Sequence, residues 1–123
     1  MSTTLQSSVL TSPADAMLRD AIAAALRAEP HARAELFARL LQEIEVALRE
    51  RPQERPWRHE VFTGTDGSRI FRGGTGISIV VDPAGAMWRA RSYEDFDTTY
   101  TSPETGCSID TLTPRYDAMR PLA

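Results

Sequence analysis

Thiol and imidazole chemistry in this chain would depend on three residues, Cys107, His31 and His59. A cysteine beside a histidine can form a nucleophile and its general base. Cys107 lies in a turn-rich segment, whereas a reactive thiol is typically placed at a helix start. The three residues are also scattered singly, which disfavours a zinc site. We therefore expect no catalytic residues, no metal site and no cofactor.

Paired carboxylates are the next candidates. Asp95, Asp97 and Thr99 have the Asp-x-Asp-x-Thr spacing of haloacid-dehalogenase-type phosphotransferases, in which the first aspartate is the nucleophile after a buried parallel strand. Here the polar segment 91–94 precedes Asp95, and the chain has no lysine to offset a phosphate charge. A motif outside its structural context is weak. The spacing is more typical of an edge strand whose Asp and Thr side chains face water.

Two glycine-rich segments, 64–67 and 73–76, invite comparison with phosphate-binding loops. Such a loop needs a strand before it and a helix after it, so that the helix N-terminus faces the anion. Strand-like sequence follows both segments. They are predicted to be hairpin turns.

Aromatic residues interleaved with arginine are the most suggestive functional feature, and we select Trp57, Arg89, Arg91 and Tyr93 as binding residues. One interpretation is a protein-docking surface, where Trp, Tyr and Arg are enriched. A second is a sheet on which single-stranded bases stack. A third places the tryptophans in the core and pairs the arginines with the carboxylates that follow them.

A different class of function would use a pocket between sheet and helices. Its polar groups would come from His59, Asp82, Asp95 and Asp97. A small ligand-binding domain or enzyme of this kind requires a deep cleft with convergent polar groups.

Composition narrows these choices. The 123 residues have a net charge of −3, and all 14 basic residues are arginine, with no lysine and no asparagine. Residues 49–91 hold eight arginines and five acidic residues, whereas 92–114 hold five acidic residues and no arginine. These segments are expected to pair within the fold, and the acidic balance disfavours nucleic acid. One cysteine and no long apolar run predict a cytoplasmic, soluble chain without a membrane partner.

Two amphipathic helices are predicted over residues 12–51. Ser12 can cap the first helix, and Pro13 suits its first turn. Pro30 interrupts the helical pattern, since a proline pushes the preceding residue out of helical geometry. The short break fits one kinked rod or, as we expect, a helical hairpin. The second helix carries one apolar stripe: Leu36, Phe37, Leu40, Leu41, Ile44 and Leu48.

Alternating patterns after residue 56 predict a sheet. Its five strands are Trp57–Thr63, Arg69–Arg72, Ile77–Asp82, Ala86–Tyr93 and Phe96–Thr101. Connections of three to five residues fit antiparallel hairpins. Ile77, Ile79 and Val81 share one face of the third strand, and Trp88 and Ala90 share one face of the fourth. We expect both faces to pack against the apolar stripe of the second helix.

These elements predict one α+β domain over 1–123, in which an N-terminal helical hairpin packs on one face of a four- to five-stranded antiparallel β-meander. A flexible N-terminus is expected at 1–11, the sheet at 57–101 and an irregular C-terminal tail at 102–123. The favoured function is a non-enzymatic protein-interaction or regulatory module, homodimeric, that binds through its sheet or its apolar stripe. The alternatives are the ligand-binding domain or enzyme and, third, a nucleic-acid-binding regulator.

Overall fold

A computed structural model describes residues 13–50, 59–73, 77–91, 94–100 and 109–122. Two helices, α1 (Pro13–Arg27) and α2 (Arg33–Arg49), form the predicted hairpin. Between them Glu29 has extended backbone (φ −60°, ψ 140°), and Pro30–Ala32 forms a 3₁₀ turn. The extended residue is what a following proline imposes.

Seven strands complete the α+β fold of the described residues. They are β1 (His59–Thr63), β2 (Arg69–Gly73), β3 (Ile77–Val81), β4 (Met87–Arg91), β5 (Phe96–Tyr100), β6 (Ile109–Pro114) and β7 (Arg120–Leu122). All pairs are antiparallel, in a five-stranded sheet of order β1-β2-β3-β4-β7 and a two-stranded sheet of β5 and β6. The predicted meander is thus confirmed from β1 to β4.

The helices cover one face of the five-stranded sheet. Phe37 of α2 meets Phe71 of β2 edge to face, with ring centroids 5.0 Å apart. Ala25 of α1 is fully buried, since an alanine-rich helix can approach its neighbours closely. The buried residues of this helical core are Ala21, Ala25, Phe37, Leu41, Ile44, Leu48, Phe71, Ile79, Val81 and Met87. The apolar stripe of α2 is therefore core, apart from the half-buried Leu36 and Leu40.

A second core lies on the opposite face of the sheet. It contains Ile70, Val80, Ala90, Phe96, Leu112 and Met119, with Phe62, Trp88 and Tyr116 packed against them. The expectation that the Trp88 face packs on the helices was wrong. Trp88 pairs with Val80 rather than with Ile79, and directly opposed residues share a sheet face. The β5–β6 hairpin fills the role of a second covering layer.

The irregular tail expected over 102–123 is wrong for residues 109–122, which contain β6 and β7. The fifth strand of the main sheet is β7, and β5 pairs with β6 instead. The prolines of this segment are the reason that irregular structure was expected there. Pro114 ends β6, and Pro121 lies in the edge strand β7, where a missing N–H is tolerated.

The turn between β1 and β2 ties the β5–β6 hairpin to the main sheet. The Thr65 N–H donates to the Leu112 carbonyl at 2.9 Å, and its hydroxyl lies 2.8 Å from that of Thr113. The Tyr116 hydroxyl donates to Asp66 at 2.6 Å. Burial and this bond to Asp66 raise the pKa of Tyr116 above its ordinary value. These contacts hold the second layer at one end of the sheet.

Arg33 joins the helical hairpin to the turn between β3 and β4. Its guanidinium donates to the carbonyls of Leu26 at 3.0 Å, Ala28 at 3.2 Å and Gly85 at 2.9 Å. Gly85 has φ +92°, and a Cβ there would collide with the Pro30 backbone, with the carbonyl carbon at 2.7 Å. The turn and the helix break therefore pack with no room for a side chain.

This contact predicts unequal effects of two glycine substitutions. Gly85→Ala should lower the free energy of unfolding by about 3 kcal/mol, from left-handed backbone strain plus the clash. Gly67→Ala is the matched control, because Gly67 has φ +90° but no atom within 4 Å of its added Cβ. It should cost only the strain, about 1 kcal/mol. Urea unfolding of both variants measures the difference, and equal losses would contradict the packing described.

Candidate functional site

The carboxylate of Asp95, which is 1% exposed, accepts three hydrogen bonds. One oxygen accepts the backbone N–H of Arg91 at 2.8 Å, and the other accepts the Arg91 guanidinium at 2.8 and 3.2 Å. The Asp95 carbonyl accepts the N–H of Arg115 at 2.9 Å. Asp95 thereby fixes where the chain leaves β4 and where β6 ends.

The contacts between Arg91 and Asp95 shift the pKa values of both side chains. Hydrogen bonds from Arg91 hold the pKa of Asp95 below its ordinary value, although burial opposes the shift. The same bonds, with the charge of Glu94, raise the pKa of Arg91. Arg91 also lies 3.3 Å from Glu94. The positive charge of Arg91 is therefore balanced by two carboxylates of the same chain, those of Asp95 and Glu94.

Two other arginines meet beside this pair. Arg89 of β4 is directly opposite Arg120 of the edge strand β7, and both are exposed. They share the sheet face of Ile79, which pairs with Arg89 on the other side. We call Arg89 and Arg120 the arginine edge. Within the described ranges, no carboxylate pairs with either one.

A cavity of about 430 Å³ opens at the arginine edge. It is lined by Arg89, Arg120, the Arg91–Asp95 pair and Ala118, among others. The strand β7 begins pairing with β4 only at Arg89, so residues 90 and 91 have no β7 partner. The cavity occupies the space beside this gap.

The arrangement suits an anion. Guanidinium groups bind carboxylate or phosphate through two parallel hydrogen bonds. Two like charges directly opposed on a sheet destabilise each other. An anion between them would remove that repulsion.

The predicted binding residues are distributed unevenly. Arg89 lies on the arginine edge, whereas Arg91 lines the cavity but is engaged by Asp95. Trp57 and Tyr93 lie outside the described residues, as does Cys107. The predicted pairing of the basic and acidic segments is present as Arg91–Asp95, which spans the β4–β5 connection rather than two paired strands.

Arg120 was missed by the sequence reasoning. It belongs to a three-residue strand inside a proline-containing segment. The usable signal was Arg120 and Leu122 on either side of Pro121, an alternation of two that a short edge strand allows. So short a pattern has little weight without its partner strand.

The residues of the alternative pocket do not converge. His59 Nδ1 lies 2.8 Å from Glu45 of α2. Asp82 closes the β3–β4 turn by accepting the N–H groups of Ala84 and Ala86, each at 2.9 Å. It also accepts the Trp88 indole N–H at 3.0 Å.

Of the other two residues of the alternative pocket, Asp95 is hydrogen-bonded to Arg91, and the Asp97 side chain is exposed on β5. Between sheet and helices, beside His59 and Phe37, lies a cavity of about 20 Å³. That is room for one water molecule rather than a substrate.

The described residues contain no group of three or more His, Cys, Asp or Glu side chains placed to hold a metal ion. Neither α1 nor α2 is long and apolar enough to cross a membrane. Comparison of the chain with family models, curated proteins and solved structures found no match.

The Arg91–Asp95 pair predicts a specific pH dependence of stability. The folded pKa of Asp95 is below the ordinary 3.8, so the unfolded chain takes up the proton first as the pH falls. The contribution of Asp95 is therefore complete above about pH 5 and is lost as the pH falls through the folded pKa. Asp95→Asn should be less stable than the wild type at neutral pH, and this deficit should shrink in acid.

Urea unfolding from neutral to acid pH measures the deficit. Asp97→Asn is the matched control, because the Asp97 side chain is exposed on the neighbouring strand. It should leave stability unchanged throughout. A deficit for Asp95→Asn that stays constant across the range would refute the role of its charge.

Proposed function

We propose that this chain is a non-enzymatic interaction module whose arginine edge binds an acidic segment of a partner protein. The supporting observation is the juxtaposition of Arg89 and Arg120 at the mouth of a cavity, with no carboxylate of the described residues paired with either one. Side chains directly opposed on antiparallel strands are about 5 Å apart. Alternate side chains of an extended peptide share one face about 7 Å apart, and flexible arginine side chains can span the difference.

Most of the apolar stripe of α2 is less accessible to a protein partner than the sheet edge is. Phe37, Leu41, Ile44 and Leu48 are all in the helical core. On the sheet, by contrast, Arg89 and Arg120 are exposed.

Several features favour an acidic peptide over nucleic acid. Glu94, which is exposed and lies 3.3 Å from Arg91, and Asp95, which lines the cavity, keep the arginine edge from extending into a long basic stripe. The chain as a whole has a net charge of −3. Nucleic-acid binders present an extended basic patch or stripe. Two directly opposed arginines form a short basic surface, which suits a short acidic ligand.

The same observations support a binding role over catalysis. The arginine edge provides charge without a nucleophile or general base, and the interlayer cavity beside His59 is too small for a substrate. A cytoplasmic location is part of the proposal, because one cysteine allows no intrachain disulfide.

Binding of a fluorescein-labelled oligoglutamate peptide tests this proposal. Fluorescence anisotropy at low salt should show saturable binding that weakens as salt is added. The double variant R89A/R120A should bind at least about tenfold more weakly, since it loses two charge-assisted contacts. R19A/R39A is the matched control. It removes the same charge from exposed positions on the helices and should bind like the wild type.

Two results would count against the proposal. Equal loss in both double variants would show that only overall charge matters. Stronger binding of a labelled oligothymidylate than of oligoglutamate, with the same sensitivity to R89A/R120A, would assign the edge to nucleic acid instead.

A further inference from the structure

A second surface lies between α1 and α2, whereas the arginine edge lies on β4 and β7. It is a groove of about 540 Å³ to which no strand contributes. Six apolar residues line it: Met17, Ala21, Ala24, Leu40, Ile44 and Ala47. Ala21 and Ile44 are buried in the helical core, and the other four are partly or fully exposed. The helical layer therefore packs on the sheet and leaves an apolar groove on its own surface.

Charged residues of both signs border this groove, namely Glu43 of α2 and two residues of opposite charge on α1. Asp20 and Arg27 of α1 lie along it and are exposed. They are seven residues apart, which is about 10 Å along a helix axis. They cannot pair with each other within one chain, and no other described residue forms an ion pair with either of them.

The order of these charges is self-complementary. Ala24 lies four residues after Asp20 and three before Arg27. If a second copy lies antiparallel across Ala24, Asp20 of each copy faces Arg27 of the other, within about 1.5 Å along the axis. A two-fold interface uses the same patch on both subunits, so one ion pair implies its symmetric equivalent.

We propose that this groove binds the same groove of a second copy of the chain, with the two-fold axis at Ala24. The small side chain there permits close approach of the two α1 helices. Met17, Leu40 and Ala47 then lose contact with water, and the two Asp20–Arg27 pairs set the antiparallel direction. The interface is separate from the arginine edge, so each proposal can fail without the other.

Reciprocal charge reversal in the full chain tests this interface. Analytical ultracentrifugation of the wild type should give twice the 13.6 kDa of one chain. Asp20→Arg alone and Arg27→Asp alone each place like charges together twice and should weaken the dimer about tenfold or more. The double variant D20R/R27D should restore it.

A mixture of the two single variants gives the sharpest result. One copy then carries two arginines and the other two aspartates at these positions, so only the heterodimer has both pairs favourable. Mixing should restore the dimer mass. Arg19→Asp, on α1 but outside the groove lining, should leave the dimer intact. Ala24→Gln, which keeps helix propensity but adds bulk at the axis, should dissociate it.

Far-UV circular dichroism of each variant verifies that the helices remain folded. The proposal is overturned if the wild type sediments as a single chain, as it would if another segment of the chain covered the groove. It is also overturned if the mixture and the double variant fail to recover the dimer while both single variants are folded.

Discussion

The Asp95 carboxylate is the contact on which the second layer and the proposed binding edge both depend. The carboxylate accepts three hydrogen bonds from Arg91. The backbone carbonyl of Asp95 accepts a fourth hydrogen bond, from the backbone N–H of Arg115. The chain can therefore leave β4 and cross to the opposite sheet face, where β5 and β6 cover the core that includes Trp88. Burying the charge of Asp95 costs free energy. This cost is offset because both the guanidinium and the backbone N–H of Arg91 donate hydrogen bonds to the carboxylate.

That bond also separates two kinds of arginine at one sheet edge. Arg91 is committed to the fold, while Arg89 and Arg120 oppose each other without an internal carboxylate in the described part of the chain. Placing like charges together costs stability, and a fold gains nothing internally from keeping them there. In the proposed function, a carboxylate supplied by a partner protein would relieve this repulsion. The proposed interface at the helical groove follows a different principle, in which opposite charges too far apart to pair within one chain would pair with those of a second copy.

Local patterns predicted much of this fold. The proline at 30 and the turn glycines mark where elements begin and end, so the helical hairpin and the strands from β1 to β4 follow from the sequence. The C-terminal strands did not. Pro114 and Pro121 read as tail because their tolerance depends on strand-end and edge positions, which only the assembled sheet defines. The side of the sheet that Trp88 faces, and the meeting of Arg89 with Arg120, depend on strand register and long-range pairing in the same way.

The proposed function requires that Arg89 and Arg120, and not Arg91, are available to an external carboxylate. Side-chain Nε–H resonances of the arginines, followed by NMR while oligoglutamate is added, test it directly. We expect progressive shifts for Arg89 and Arg120, whereas the Arg91 signal should stay in place because Arg91 is bonded to Asp95. Shifts spread evenly over the 14 arginines, or concentrated away from β4 and β7, would contradict it.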